Sequence, residues 1–281
     1  MGVAALLHYH RGMMTSTRPV GVLLREWRQR RRLSQLDLAC EAEISARHMS
    51  FLETGRSQPS REMVLHLAER LEIPLRERNV LLHAAGYAPM FPQRALDDPA
   101  LAAARRAVDL VLAGHAPYPA LAVDRHWTLV ASNAAVAPLL AGVAPALLQA
   151  PLNVLRLSLH PDGLAPRIAN LRQWRAHLLE RLRQQIEVSA DPALEALREE
   201  LQGYPSEYAQ GGAADQATAA DYAGAGLVVP FQLRTGQGVL SFISTTTVFG
   251  TPVDVTLSEL ALETFFPADA VTAERLRRMA P

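Results

Sequence analysis

Apolar residues recur at helical spacing from Val20 onward. Val20, Leu23, Leu24 and Trp27 share one face, and Arg25, Arg28, Arg30, Arg31 and Arg32 lie around the others. This predicts a helix over Val20–Arg31 with a solvated arginine face. The next stretch, SQLDLACEAEISARHMSFLETGRSQP, reads as two short helices about a tight turn. Ser34 is placed as an N-cap with Asp37 three residues on, close to a capping box. Leu38 and Ala39 face inward, and the small Ala39 lets another helix approach. Ala42-Glu43-Ile44 forms the turn and Ser45 caps the second helix. There Met49 and Leu52 share one face, Ala46, Arg47, Ser50 and Phe51 another, and His48 lies at the flank. Two more helices are predicted, Arg61–Leu71 capped by Ser60 and Leu75–Ala85 entered through Pro74 and stopped by Gly86.

The pattern then changes. Tyr87–Pro99 carries three prolines and reads as a linker. A mostly apolar helix, Ala100–Ala113, belongs to a second domain or forms a dimer seam. Pro119–Asn133 alternates with period two and predicts two strands about a turn at Asp124-Arg125, with Asn133 capping a helix Ala134–Leu140. A long helix is expected over Ile168–Ile186 and another over Asp191–Gln202. Gly203–Gly226, rich in Ala and Gly, reads as loop. Strands are expected at Leu227–Leu233, Val239–Phe249 and about Val255–Phe266, the last fitting both periods. A closing helix runs from Asp269 to about Met279.

Composition refines this division. A chain of 281 residues holds one large or two ordinary domains, and its 49% apolar content is enough for a core. The formal charge of zero conceals an asymmetry. Residues 1–94 hold 14 Arg against nine acidic residues, and the remainder 14 Arg against 19. A basic front suits a polyanion, and the acidic remainder argues against the whole surface binding nucleic acid. Every basic residue is Arg, the better ligand for phosphate and guanine. The single cysteine, Cys40, permits no intrachain disulfide and fits a reducing cytoplasm. No apolar run approaches a membrane span. Residues 1–17 read as a disordered lead, in which Met13 and Met14 are alternative starts.

The layout of Gln35, Leu38-Ala39, Ser45, Met49, Ser50, Leu52 and the tail Glu53-x-Gly55-Arg56-x-x-Pro59 resembles the helix-turn-helix of the Xre (Cro/repressor) family. Glu43 stands where that family usually has a turn glycine, so a differently shaped turn is expected. The resemblance implies an all-α, five-helix, lambda-repressor-like DNA-binding domain over residues 18–88. Its recognition helix would set N-terminal side chains on base edges in the major groove. Arg47 would fork to guanine, with Ser45, Ala46 and Ser50 beside it. Phe51 would meet a thymine methyl or else pack on a neighbouring helix. His48 would touch phosphate or remain a surface residue. Gln35 resembles the family's phosphate clamp, at a helix N-terminus that favours anions. Arg56 joins the DNA-facing set, and Glu53 is expected to pair with it locally.

The second half resembles the MmyB-like ligand-binding domain that often follows such a motif. The carrying residues are the Leu121–Asn133 hairpin, Asn153-Val154-Leu155-Arg156, His160-Pro161-Asp162-Gly163, Arg167, Asn170 to Trp174, Ser241–Asp254 and Phe265–Asp269. This implies an α+β, PAS-like domain with an antiparallel sheet over residues 115–281, joined by a linker and connecting helix at 89–114. It also implies a small apolar, fatty-acid-like ligand. Trp127, Leu155, Trp174, Leu178, Phe231, Phe242 and Phe249 are candidate lining or plain core. His160, Arg167 and Asn170 are candidates for the polar end or for a loop network. The chain has no glycine-rich phosphate loop, nucleophile elbow or HExxH, and its nine His are scattered. No metal or cofactor is expected, and a regulator is expected rather than an enzyme; the alternatives for the second half are a protein-interaction scaffold without a ligand and an enzyme acting on a small apolar acid. The expected partners are a double-stranded DNA operator, the ligand and a second copy of the chain.

Overall fold

The computed structural model describes residues 18–205 and 228–279. The expected lead and most of the Ala- and Gly-rich loop lie outside them. Two compact units divide the chain: residues up to Gln93 with Val253–Val255, and Arg94–Pro252 with the residues from Thr256 onward.

The first unit is helical, with α1 (Val20–Arg30), α2 (Gln35–Glu41), α3 (Ala46–Glu53), α4 (Arg61–Arg70) and α5 (Leu75–Ala84). Each apolar stripe predicted from the sequence is buried: Leu24, Leu38, Met49, Leu52, Val64 and Leu67 are sealed from water. Ser34, Ser45 and Ser60 each accept the backbone N–H three residues on, and Ser34 with Asp37 completes a capping box. Each helix ends with its last carbonyls satisfied by two N–H groups beyond the cap. At the α2–α3 turn these are Glu43 N–H to Cys40 O and Ile44 N–H to Ala39 O. This Schellman arrangement needs a left-handed residue. Arg32, Glu43, Gly55, Glu72 and Gly86 supply it, with φ between 49° and 85°. The turn at Glu43 therefore has the shape a glycine would give, contrary to expectation, because two hydrogen bonds hold a non-glycine residue there. Gly21 serves packing instead: a Cβ on it would lie 2.3 Å from Leu52 O, so its absence lets α1 close on the end of α3.

The second unit is α+β. Its elements are α6 (Ala102–Gly114), β1 (Ala120–Val123), β2 (Leu129–Ser132), α7 (Val154–Leu159), α8 (Leu171–Ser189), α9 (Pro192–Gln202), β3 (Phe231–Thr235), β4 (Gly238–Val248), β5 (Ala261–Pro267) and α10 (Ala270–Met279). The strands form one antiparallel sheet in the order β2-β1-β5-β4-β3. On one face α6 lays Val108 and Leu112 over Ala120, Ala122, Leu260 and Leu262, so the connecting helix belongs to this unit. The other face carries the larger core, into which α7, α8, α9 and α10 all contribute.

Three local expectations are corrected. Asn133 caps no α-helix: its side chain accepts from Ala120 N–H and donates to Leu112 O and Tyr118 O, and only a short 3-10 turn, Ala137–Leu140, succeeds it. The α7 helix, capped by Asn153, has no counterpart among the expected elements. The last predicted strand begins late, at Ala261, after a helical turn at Val255–Ser258.

Candidate nucleic-acid interface and ligand cavity

The helix-turn-helix is locked from inside by charge. Arg28 meets Glu53 through both oxygens, Nε to Oε1 at 2.5 Å and Nη2 to Oε2 at 2.9 Å, and its Nη1 donates to Leu33 O. Gln35 Nε2 adds a bond to Glu53 Oε2 at 2.7 Å. Burial alone would push the Glu53 carboxyl up, but the Arg28 and Gln35 hydrogen bonds outweigh it and hold it below the usual range. Both ends of the pair are buried, so α1, α2 and α3 share one satisfied polar network. Two expectations fall here. Arg28 belongs to no solvated face, and Glu53 pairs with Arg28 rather than Arg56. Gly21, Leu24 and Arg28 at i, i+3 and i+7 form an inward stripe, and that was the available signal. Arg31 likewise turns inward to cap α4 at Leu71 O and Glu72 O.

The outer face of α3 presents the other candidates. Ser45, Ala46, Arg47 and Arg56 are exposed, and His48, Ser50 and Phe51 are half-buried. The Phe51 ring is flanked by two guanidinium groups, Arg47 at 5.3 Å and Arg56 at 5.8 Å from its centroid. Cation–π attraction at these distances restrains two long side chains over one ring. Gln35, with its amide nitrogen committed to Glu53, stands at the start of α2 on the edge of this face.

In the second unit the larger core holds a partly open cavity of about 100 Å³. That is several times the ~10–15 Å³ one water requires, and its walls are apolar. Trp127, Leu155, Trp174, Leu178, Phe231 and Phe242 line it, as the sequence suggested. Phe265 joins a chain of rings, with Trp174 5.0 Å from Phe231 and Phe242 6.2 Å from Phe265. Phe249 does not line it. Seven residues beyond Phe242 on alternating backbone, it faces the α6 cluster instead. Trp127 reaches the cavity from a left-handed backbone position, φ 65°, which is strained for a bulky residue. Four contacts hold it: Trp127 N–H donates to Asp124 O, Trp127 Nε1 donates to Gln185 Oε1 at 2.8 Å, Val154 N–H donates to Trp127 O, and Arg181 lies 4.9 Å over its ring.

The polar end of the cavity differs from the expected one. Arg181 Nη2 donates to Glu263 Oε1 at 2.8 Å and to Thr246 Oγ1 at 2.9 Å, and Thr246 Oγ1 donates to the same carboxylate oxygen at 2.8 Å. Glu263 is buried in mid-strand on β5. Ser158 Oγ, also in the lining, accepts Trp174 Nε1–H at 3.0 Å. His177, stacked on Trp174, is pushed below its ordinary value by burial and by the Arg181 charge.

His160, Arg167 and Asn170 are absent from the lining. Arg167 donates to Ala141 O and Leu139 O, and Asn170 ties Pro230 O and Gln232 N–H. His160 Nδ1 accepts Asp162 N–H within its turn. These side chains pin the loops that frame the core. Arg181 was legible on the Trp174, Leu178, Arg181 stripe of α8. Glu263 was legible as a charge alternating with Phe265.

Among the described residues, no three His, Cys, Asp or Glu are placed to hold a metal. No described helix is long and apolar enough to cross a membrane. Residues 104–279 match the family model described as MmyB-like transcription regulator ligand binding domain. The chain belongs to that family. Residues 19–81 match a helix-turn-helix domain model. The MmyB-like assignment and the helix-turn-helix together make the protein a DNA-binding transcription regulator with a ligand-binding domain. No curated protein matches the chain.

Proposed function

We propose that this regulator binds a two-fold operator as a homodimer and that an apolar ligand in the second unit sets its DNA affinity. DNA binding is assigned to residues 18–88, with Arg47 forked to guanine, Phe51 toward a thymine methyl, and Ser45, Ala46, His48, Ser50 and Arg56 along the same contact face. Gln35 is placed beside the DNA backbone at the start of α2, its Glu53 bond fixing the first turn of that helix. Recognition helices of the two copies would stand about one DNA turn, roughly 34 Å, apart. Leu110 and Val111, exposed on α6, leave an apolar strip that suits pairing of copies. The strand order and the helices inserted between β2 and β3 support a PAS-like sensor over residues 115–281.

The observation that carries the ligand reading is the aromatic-walled cavity with one charged end. Its walls suit the chain of a fatty-acid-like molecule, each buried methylene contributing about 0.8 kcal/mol. A ligand switches the protein only through unequal affinity for its DNA-competent and incompetent states. The test is mass spectrometry of small molecules released from the purified full chain. A stoichiometric apolar molecule is the expected result. Its absence, together with no thermal stabilisation by any apolar compound, would sink the ligand reading.

A further inference from the structure

We propose that the cavity selects an uncharged apolar ligand, one whose polar end is a hydroxyl, ester or amide rather than an ionised carboxylate or ammonium. This rests on the cavity reading above and narrows it: the apolar chain of a fatty-acid-like molecule fits the walls, but its ionised acid head is replaced by an uncharged polar group. The charges at the cavity end decide the matter. Among the described residues, the lining carries one cation, Arg181, and one anion, Glu263, already paired 2.8 Å apart, with Thr246 bonded to both. The charges of the described lining therefore cancel before any ligand enters.

A ligand carboxylate would have to share Arg181 with Glu263 or displace it. Sharing puts two anions on one guanidinium in apolar surroundings. Displacement strands the Glu263 side chain, which is only 4% exposed, without its main partner. An ammonium meets the mirror problem, since Glu263 is already committed to Arg181. An uncharged polar group disturbs neither. Ser158 Oγ accepts from Trp174 Nε1, so its own proton can be given to a hydroxyl, ester or amide oxygen. Trp127 Nε1 is committed to Gln185 and makes no demand on a ligand.

The test compares three probes of equal chain length, 1-octanol, octanoate and octylammonium, on the full chain at neutral pH. Thermal shift and titration calorimetry are the readouts. Octanol is expected to bind, and the two ions to bind about tenfold more weakly or worse. Octanoate or octylammonium binding as tightly as octanol overturns the proposal and leaves the cavity reading intact. Binding by none of the three overturns the cavity reading itself, and this inference with it. Glu263→Gln leaves Arg181 unbalanced, so octanoate should then gain about tenfold while octanol changes little. A folded Glu263→Gln protein with unimproved octanoate binding rejects the charge explanation. Should that variant fail to fold, the three-probe comparison on the unaltered chain still decides. Leu155→Trp, which fills the cavity, should abolish octanol binding; retained binding would place the site elsewhere and reject the proposal.

Discussion

At Glu53 a carboxylate lies inside the helical unit because two donors, Arg28 and Gln35, meet it there. Removing it leaves a buried guanidinium, so Glu53→Ala should cost about 3–5 kcal/mol in urea unfolding. Because the folded carboxyl is held below its ordinary value, its contribution is full above the unfolded value and is lost as pH falls through the folded one. Gly21→Ala should cost about 1–3 kcal/mol by forcing α1 away from Leu52 O, and unchanged stability would show that α1 yields freely. Arg47→Ala should remove about 1–3 kcal/mol of preference for its base pair, read against an operator selected from random duplexes. An unchanged preference would mean that α3 is turned another way. The exposed candidates were legible because a recognition helix is a local pattern. The Arg28–Glu53 pair was not, since its members lie a helix-turn-helix apart and sequence proximity pointed to Arg56.

Helix ends carry the next level. Arg32, Glu43 and Glu72 occupy left-handed positions that glycine would fill without strain. The exposed Glu43→Gly change should therefore raise stability by up to about 1 kcal/mol, the relief of strain being partly offset by the freer unfolded chain. A loss of stability would show that the Glu43 side chain contributes to the turn. Asp191 caps α9 and also accepts from His126 Nε2 at 2.9 Å. Chiefly through the His126 hydrogen bond, with Ala193 N–H and Arg125 assisting against burial, its carboxyl is lowered from 3.8 to about 2. Asp191→Asn keeps the cap and removes the charge. The stability advantage of the unaltered chain over this variant should be full above roughly pH 4 and fade toward about pH 2. An advantage that persists at the acid end would contradict the pairing. Capping serines and apolar stripes made the five N-terminal helices readable. Asn133 misled because a side chain suited to capping a helix also suits bridging strands. α7 has only six residues, too short for periodicity to register.

For the whole molecule, the division into a basic helical part and a mixed part was legible from charge and from the change of period. The aromatic cavity walls were legible too, because large rings at strand and helix spacing must meet in a core. The charged end was legible only residue by residue, as an inward Arg181 and an alternating Glu263; their pairing was not, because the two come together only when α8 crosses β5. On the proposed reading, the regulator's function depends on coupling between that cavity and the recognition helix. Coupling of about 1.4 kcal/mol changes DNA affinity tenfold, and ligand affinity must change by the same factor when DNA binds. The most direct measurement is operator affinity of the full chain with the cavity empty and with it saturated by octanol or by the molecule released from the purified protein, repeated with Leu155→Trp. A shift of about tenfold or more in the unaltered chain, absent in the filled variant, is expected. Equal operator affinity at demonstrated full occupancy would contradict ligand control.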